Sequence, residues 1–387
     1  MTAPTPHKAA HDTSPDLPHR TTLPPIPKRT VLIFPAGICL IAGLSAALLL
    51  LGLPAPFTVN RLVDSHGTLL TLGFIGTLIA LERSVALGRF WGYAAPTLLG
   101  TGGLLLLTPV SLIVPHACML SGATIMTSTY VVLWQRNRDE AILIQALGAV
   151  LAAGAATLLV LQFPVRILLP WLAGFVILTI CGERLELARL TLKRSAGYVV
   201  LVCACTFTAL TIATLLWPTA GYPLLGLNLI VMTLWLSAHD VARKLIFTSA
   251  SRRFMAACML AGYAWLTLAG FIWLLGPAFE GAAYDAVIHA VFIGFTMSMI
   301  MAHATTILPA IVKRPLPYHP VMWLPAALMH AALIVRVWIG DGLGIRLAHQ
   351  IGGLFNVISV LLFLIIIVGT AITAPTATPS PRIGKTS

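Results

Sequence analysis

The chain has 387 residues, of which 58% are hydrophobic and 9% are Asp, Glu, Lys or Arg, and its mean hydropathy is +0.94. Soluble globular domains are roughly half apolar and about a quarter charged, so a soluble fold is excluded and an integral, all-α membrane protein is predicted. The formal charge of +12 calls for no nucleic-acid partner, because the basic residues fall largely on one side of the predicted membrane domain; the lipid bilayer is the partner that the composition requires.

Residues 1–29 are rich in Pro, Thr and His and contain no apolar run, which predicts a disordered cytoplasmic tail. The first apolar stretch starts late and is long enough to stay as a spanning helix, so this region does not read as a signal peptide. Apolar runs near the roughly 20 residues that a spanning helix needs then follow at about 31–53, 64–87, 91–110, 113–134, 140–161, 165–182, 197–217, 222–242, 254–275, 283–312, 321–338 and 345–372. These predict one twelve-helix transmembrane domain over 30–373, followed by a second short disordered cytoplasmic tail over 374–387.

Orientation follows from Lys and Arg, which accumulate on cytoplasmic loops. With the N-terminus inside, all of the 24 basic residues fall on that side except Arg61, Arg166, Arg336 and Arg346. Clusters such as Arg136/Arg138, Lys193/Arg194, Arg243/Lys244, Arg252/Arg253 and Lys313/Arg314 mark the cytoplasmic loops. The prediction is a multi-pass protein of the cell (inner) membrane with both termini cytoplasmic. Six scattered cysteines show no C-x-x-C spacing and read as small membrane-buried hydrophobes.

A weak echo links segments two, six and ten. Gly73-Phe74 and Gly174-Phe175 each precede a Glu-Arg pair, Glu82-Arg83 and Glu183-Arg184, by nine residues, and Gly294-Phe295 precedes His303 by nine. Recurrence every four helices is the pattern of three four-helix arcs. Gly-Phe pairs are also common in membrane helices, so the repeat and its absence both stay open.

Histidine carries the strongest chemical signal. Eight of the eleven histidines lie in or beside the apolar segments, where ionisable side chains are costly and mark functional sites. In the predicted orientation even-numbered segments run from outside to inside, so His66, His116, His289 and His349 share a band near the outer surface. Two of them facing each other across non-adjacent helices could ligate a haem, with His66 and His289 the leading pair. His303 and His330 fall near mid-membrane on consecutive antiparallel segments and form a second candidate pair, for copper or another transition metal. Fourteen residues separate His289 from His303, about 21 Å along a helix, so one ion cannot bind both. A structural, hydrogen-bonded imidazole is the plain reading for any one of these histidines. His239, beside Asp240, reads as interfacial, and His319 as shaping a Pro-rich turn.

The outer arginines Arg61, Arg336 and Arg346 are candidate partners for haem propionates. Asp285, one turn before His289, could accept its second ring proton and fix the tautomer. Marking the outer interface would explain these charges equally well. Glu82 and Glu183, beside Arg83 and Arg184, read as solvated ion pairs at cytoplasmic helix ends.

Twelve helices with an outer histidine on segment two and two histidines on segment ten resemble the catalytic subunit of haem-copper oxidases. The chain is more similar to the NnrS family of twelve-helix proteins, which is linked to haem, copper and nitric oxide stress. The resemblance rests on Asp64-Ser-His66-Gly-Thr-Leu-Leu-Thr-Leu-Gly73-Phe74 and on His289-Ala-Val-Phe-Ile-Gly294 through His303 to Arg314-Pro315-Leu316. It implies a haem- and/or metal-binding protein acting in nitric oxide or redox stress, with a respiratory-chain or other redox partner. Oxidases also carry a His-x-x-x-Tyr on segment six and a His-His pair on segment seven. Here segment six reads Leu168-Leu-Pro-Trp-Leu-Ala-Gly-Phe and segment seven holds no histidine. The usual binuclear copper centre is therefore not expected. A transporter or channel for protons, metal ions or a small solute, and an assembly factor for a respiratory oxidase, are the alternative functions.

Overall fold

The computed structural model describes residues 27–373 apart from 57, 60 and 188–193, with the backbone alone at 194–196. Residues 1–26, with His7, His11 and His19, the tail from 374 onward, and Lys193 of the predicted basic pairs lie outside the described residues. Within them the regular structure is helical, with no strand.

Eleven helices have the length and apolarity of membrane spans: α1 (Lys28–Leu50), α2 (His66–Leu87), α4 (Ile113–Arg136), α5 (Glu140–Val160), α6 (Val165–Leu187), α7 (Gly197–Leu216), α8 (Pro218–His239), α9 (Ala250–Leu274), α10 (Gly281–Val312), α11 (Pro320–Asp341) and α12 (Arg346–Thr373). The remaining segment is shorter. Its helix α3 (Ala94–Leu106) has 13 residues, about 20 Å, preceded by a 3-10 turn at Phe90–Tyr93. It stops three residues before Pro109, because the residue preceding a proline disfavours the helical conformation.

Other ends have equally local causes. Asp139 caps the start of α5 by accepting a hydrogen bond from the Ala141 amide at 3.0 Å. Lys313, at φ 53°, turns the chain out of α10 ahead of Arg314-Pro315.

Consecutive helices pack as antiparallel neighbours, α1 meets α12, and α6 reaches across to α10. Burial is unequal. In α2, α6 and α10 the buried share is 67, 78 and 72%, whereas no other span exceeds 50%. Every fourth helix is thus central, and these are the three segments that share the Gly-Phe echo. Their Phe74, Phe175 and Phe295 are buried. The glycine has a packing reason: a Cβ at Gly294 would lie 2.4 Å from Cγ of Trp265 on α9, a rigid atom close to its own backbone. Peripheral helices instead turn residues such as Val202, Phe271 and Ile365 outward, 64, 51 and 66% exposed, a surface suited to lipid and not to water.

Three stretches widen from α to π geometry: Leu69–Gly76 in α2, Ala290–Met297 in α10 and Val335–Asp341 in α11. The π turn is rare and concentrates at functional sites.

Gly294→Ala should therefore lower stability by about 1–3 kcal/mol through overpacking against Trp265. Gly37→Ala, in α1, where nothing lies within 4 Å of the added carbon, should leave the thermal midpoint in detergent unchanged. Equal midpoints for both variants would refute the close α9–α10 contact.

Candidate metal and cofactor site

The chain's polar chemistry gathers at the two ends of the central trio. One end holds the starts of α2, α10 and α12 and the end of α11, and is here called the histidine end. His66 opens α2, and its Nδ1 donates to the Gly43 carbonyl of α1 at 2.9 Å. His289 immediately precedes the π stretch of α10, and its Nδ1 donates to the Asp285 carbonyl at 2.8 Å, with the Asp285 carboxylate 3.3 Å away. A carbonyl only accepts, so both rings carry their proton on Nδ1. Neither Nε2 has a hydrogen-bond partner among the described residues. His66 lies within electrostatic reach of His289, Asp285 and Arg336, which brings the two imidazoles to the same end of the central helices although 223 positions of sequence lie between them.

Arg336, in the π stretch of α11, grips Asp285 with both arms: Nε to Oδ2 at 2.8 Å and a terminal nitrogen to Oδ1 at 2.7 Å. His349, near the start of α12, places Nδ1 2.9 Å from Asp341 Oδ1 and 4.0 Å from Asp285 Oδ2. The closeness of α12 to α11 that permits this requires Gly340, whose Cβ would sit 2.7 Å from the His349 backbone. A cavity of about 240 Å³ opens beside the site, lined by Leu268, Ile272, Ala286, Val337, Trp338 and Asp341 among others.

Of the outer residues named from sequence, the structure gathers His66, His289, His349, Asp285 and Arg336. It leaves three apart. His116 of α4 faces Gln162 of the α5–α6 turn at 3.5 Å, Arg61 donates to the Val110 carbonyl, and Arg346 is exposed. Asp341 is the addition that sequence reading missed. A carboxylate at an outer helix end, in a chain with only 12 acidic residues, was the available signal.

The mid-membrane histidines are engaged separately. His303 donates from Nδ1 to the Met299 carbonyl at 2.8 Å and accepts from Arg184 on Nε2 at 2.9 Å. His330 accepts from the Trp265 indole at 3.1 Å, which leaves its Nε2 proton towards Ser298 Oγ at 3.4 Å. Ser298 is five residues before His303, about 7.5 Å along α10, so His330 stands at a different level, and no described contact joins the two histidines.

The opposite end is more buried than solvated pairs would be. Arg83 of α2 lies 2.5 Å from Glu82, 3.7 Å from Glu183 and 3.6 Å from Glu186 of α6, and donates to Gln145 Oε1 at 3.0 Å. Arg184 holds Asp240 bidentately at 3.1 and 3.0 Å, and the Tyr263 hydroxyl donates to the same carboxylate at 2.7 Å. The Arg184 and Asp240 side chains are only 7 and 3% exposed. His239, by contrast, is exposed and stacks on Trp235, and His319 accepts from the Val321 amide to shape the turn before α11.

These features define a multi-pass, all-α membrane protein with one imidazole-rich polar site and one buried ion-pair end. The chain belongs to the family described as a domain of unknown function (DUF8744), whose model matches residues 29–372. No curated protein matches it.

Removing one partner of a buried ion pair strands the other charge and costs about 3–5 kcal/mol. Arg184→Met should lose that much stability in thermal unfolding, and Arg184→Met combined with Asp240→Leu should recover most of it. A double variant as unstable as the single one would show that the pair is not coupled.

Proposed function

We propose that the protein binds an imidazole-ligated metal, either haem iron or a bare transition-metal ion such as copper, at its histidine end, and acts in the response to nitric oxide or other redox stress. The observation that carries this reading is the state of His66 and His289. Each ring is oriented by an Nδ1 hydrogen bond to a backbone carbonyl and keeps an Nε2 lone pair with no partner among the described residues, at the same end of the central helices. Metal-ligating histidines characteristically donate their other ring proton to a carbonyl or carboxylate, which fixes the tautomer and raises ligand basicity. His303 and His330, whose ring nitrogens are all engaged, keep no free lone pair.

The donor set fits a metal. A porphyrin fits less completely: the adjoining cavity of about 240 Å³ is below the roughly 300–1,000 Å³ of ordinary ligand pockets. Arg336, the basic side chain nearest the pair, is committed to Asp285, so propionates would need to compete for it. A bound iron or copper supplies one-electron exchange and affinity for diatomic ligands. His66 and His289 would hold it, the Asp285 carbonyl would keep the His289 ring in the ligating tautomer, and Arg336 would hold the Asp285 side chain in place. The nitric oxide setting and a redox partner rest on the resemblance to the NnrS family. The bias of Lys and Arg supports a histidine end facing outward and cytoplasmic termini.

An optical spectrum and metal analysis of the detergent-purified protein separate the two cofactors. A Soret band identifies haem, and bound copper without that band identifies a bare ion. Either signal should disappear in both His66→Ala and His289→Ala, and Asp285→Asn should weaken metal affinity by about 10–100-fold. A colourless, metal-free wild-type protein would overturn the proposal.

A further inference from the structure

We propose that Asp285, Asp341 and His349 form a second site beside the imidazole pair, for a divalent first-row cation that favours oxygen donors, Mn²⁺ or Fe²⁺. The inference rests on reading the histidine end as metal-binding and adds a separate ion to it. One ligand atom from each of these residues lies within 4.8 Å of the others. Donors around an ion at about 2.1 Å are separated by about 3–4.2 Å, and the 2.9 and 4.0 Å spacings from His349 Nδ1 to the two carboxylates match that range.

Acidic residues close together are not by themselves a site, and a second observation decides here. The Asp341 side chain is only 8% exposed: Oδ1 faces His349 Nδ1, and Oδ2 is buried with no hydrogen-bond donor, its close neighbour being the Asp285 carboxylate. A buried carboxylate oxygen without a partner is expensive and demands an explanation. Asp341 also faces the Asp285 carboxylate, and two carboxylates at such range require a proton or a cation between them. Arg336 compensates Asp285 but reaches no atom of Asp341 in the described contacts. The cluster of two carboxylates and one guanidinium therefore keeps one net negative charge.

The donor chemistry narrows the ion. Carboxylates suit Mg²⁺, Ca²⁺ and Mn²⁺, while imidazole suits Fe, Cu, Ni and Zn, so a two-carboxylate, one-imidazole set is best matched by Mn²⁺ or Fe²⁺. Binding asks His349 to move its proton from Nδ1 to the unpartnered Nε2. That is a change of tautomer with no change of net charge. The imidazole pair differs in kind, since its free donors are two nitrogens.

Mn²⁺ is the probe. Titrated into chelator-stripped, full-length protein in detergent, it should lose the six-line electron paramagnetic resonance signal of the free ion to the extent of one ion per chain. Asp341→Asn and His349→Gln should each weaken that binding at least tenfold, and Asp64→Asn, an exposed carboxylate, should not. His66→Ala should abolish the haem or copper signal yet keep the Mn²⁺ site, which separates failure of this inference from failure of the function above. Wild-type protein that leaves Mn²⁺ free at millimolar concentration would overturn the inference. Asp341→Asn binding as tightly as wild type would do the same, because it would return the pair of carboxylates to a shared proton.

Discussion

Charge held between the three central helices is the constraint on which the rest of the structure depends. Arg83 ties α2 to α6 through Glu183 and Glu186, Arg184 ties α6 to α10 through His303, and His66 of α2 lies within electrostatic reach of His289 and Asp285 of α10. Apolar side chains give helices in lipid little reason to choose one partner over another, since the acyl chains are as apolar as leucine. Buried polar groups do discriminate, because each unmet donor or acceptor is costly. Two such ties, α2 to α6 and α6 to α10, specify which helices lie at the centre; the outer nine then cover them and turn their aliphatic faces to lipid.

The two ends of this trio solve the same problem differently. At the ion-pair end Arg83 Nε and the Tyr130 hydroxyl are buried without a partner among the described residues. Around Arg184, however, every demand is met: Asp240 accepts from Arg184, Tyr263 and the Ala242 amide, and His303 uses both ring nitrogens. A network satisfied to that degree rigidifies a fold and offers nothing to a ligand. The histidine end is left incomplete. His66 and His289 each keep a lone pair in hand, and Asp341 keeps a buried oxygen. Free lone pairs on two imidazoles and a buried carboxylate oxygen are the atom types that a metal ion completes, which is the physical content of assigning function to this end.

The π stretches sit at this boundary. They follow His66 by three residues and His289 by one, and they contain both Arg336 and Asp341. Each adds a residue's worth of rotation within one helix, so the side chains on either side of it can face different neighbours. On α10 His289 lies at the histidine end just ahead of the π stretch, while Phe295 within it packs against Tyr263 of α9 and Ser298 just after it meets His330 of α11.

Class, span positions and the gathering of histidines at one end of the helices were legible in the sequence because they depend on local quantities: hydropathy over a window of one span, and helical depth counted from a segment end. That His66, His289, Asp285, Arg336 and His349 are partners was partly legible, since all lie at the same end of their helices. Depth, however, is a single coordinate. His116 shares it and stands elsewhere, because α4 lies outside the ring around the site, and His303 and His330 miss each other because their levels depend on where α10 and α11 cross. Asp341 and the Arg184–Asp240–Tyr263 cluster were hidden for the same reason. The sequence by itself determined which residues lie at which depth, a matter of counting along apolar runs; only the tertiary structure decided which of them face one another, because rotation about each helix axis and the neighbours across it are set by packing among non-adjacent segments.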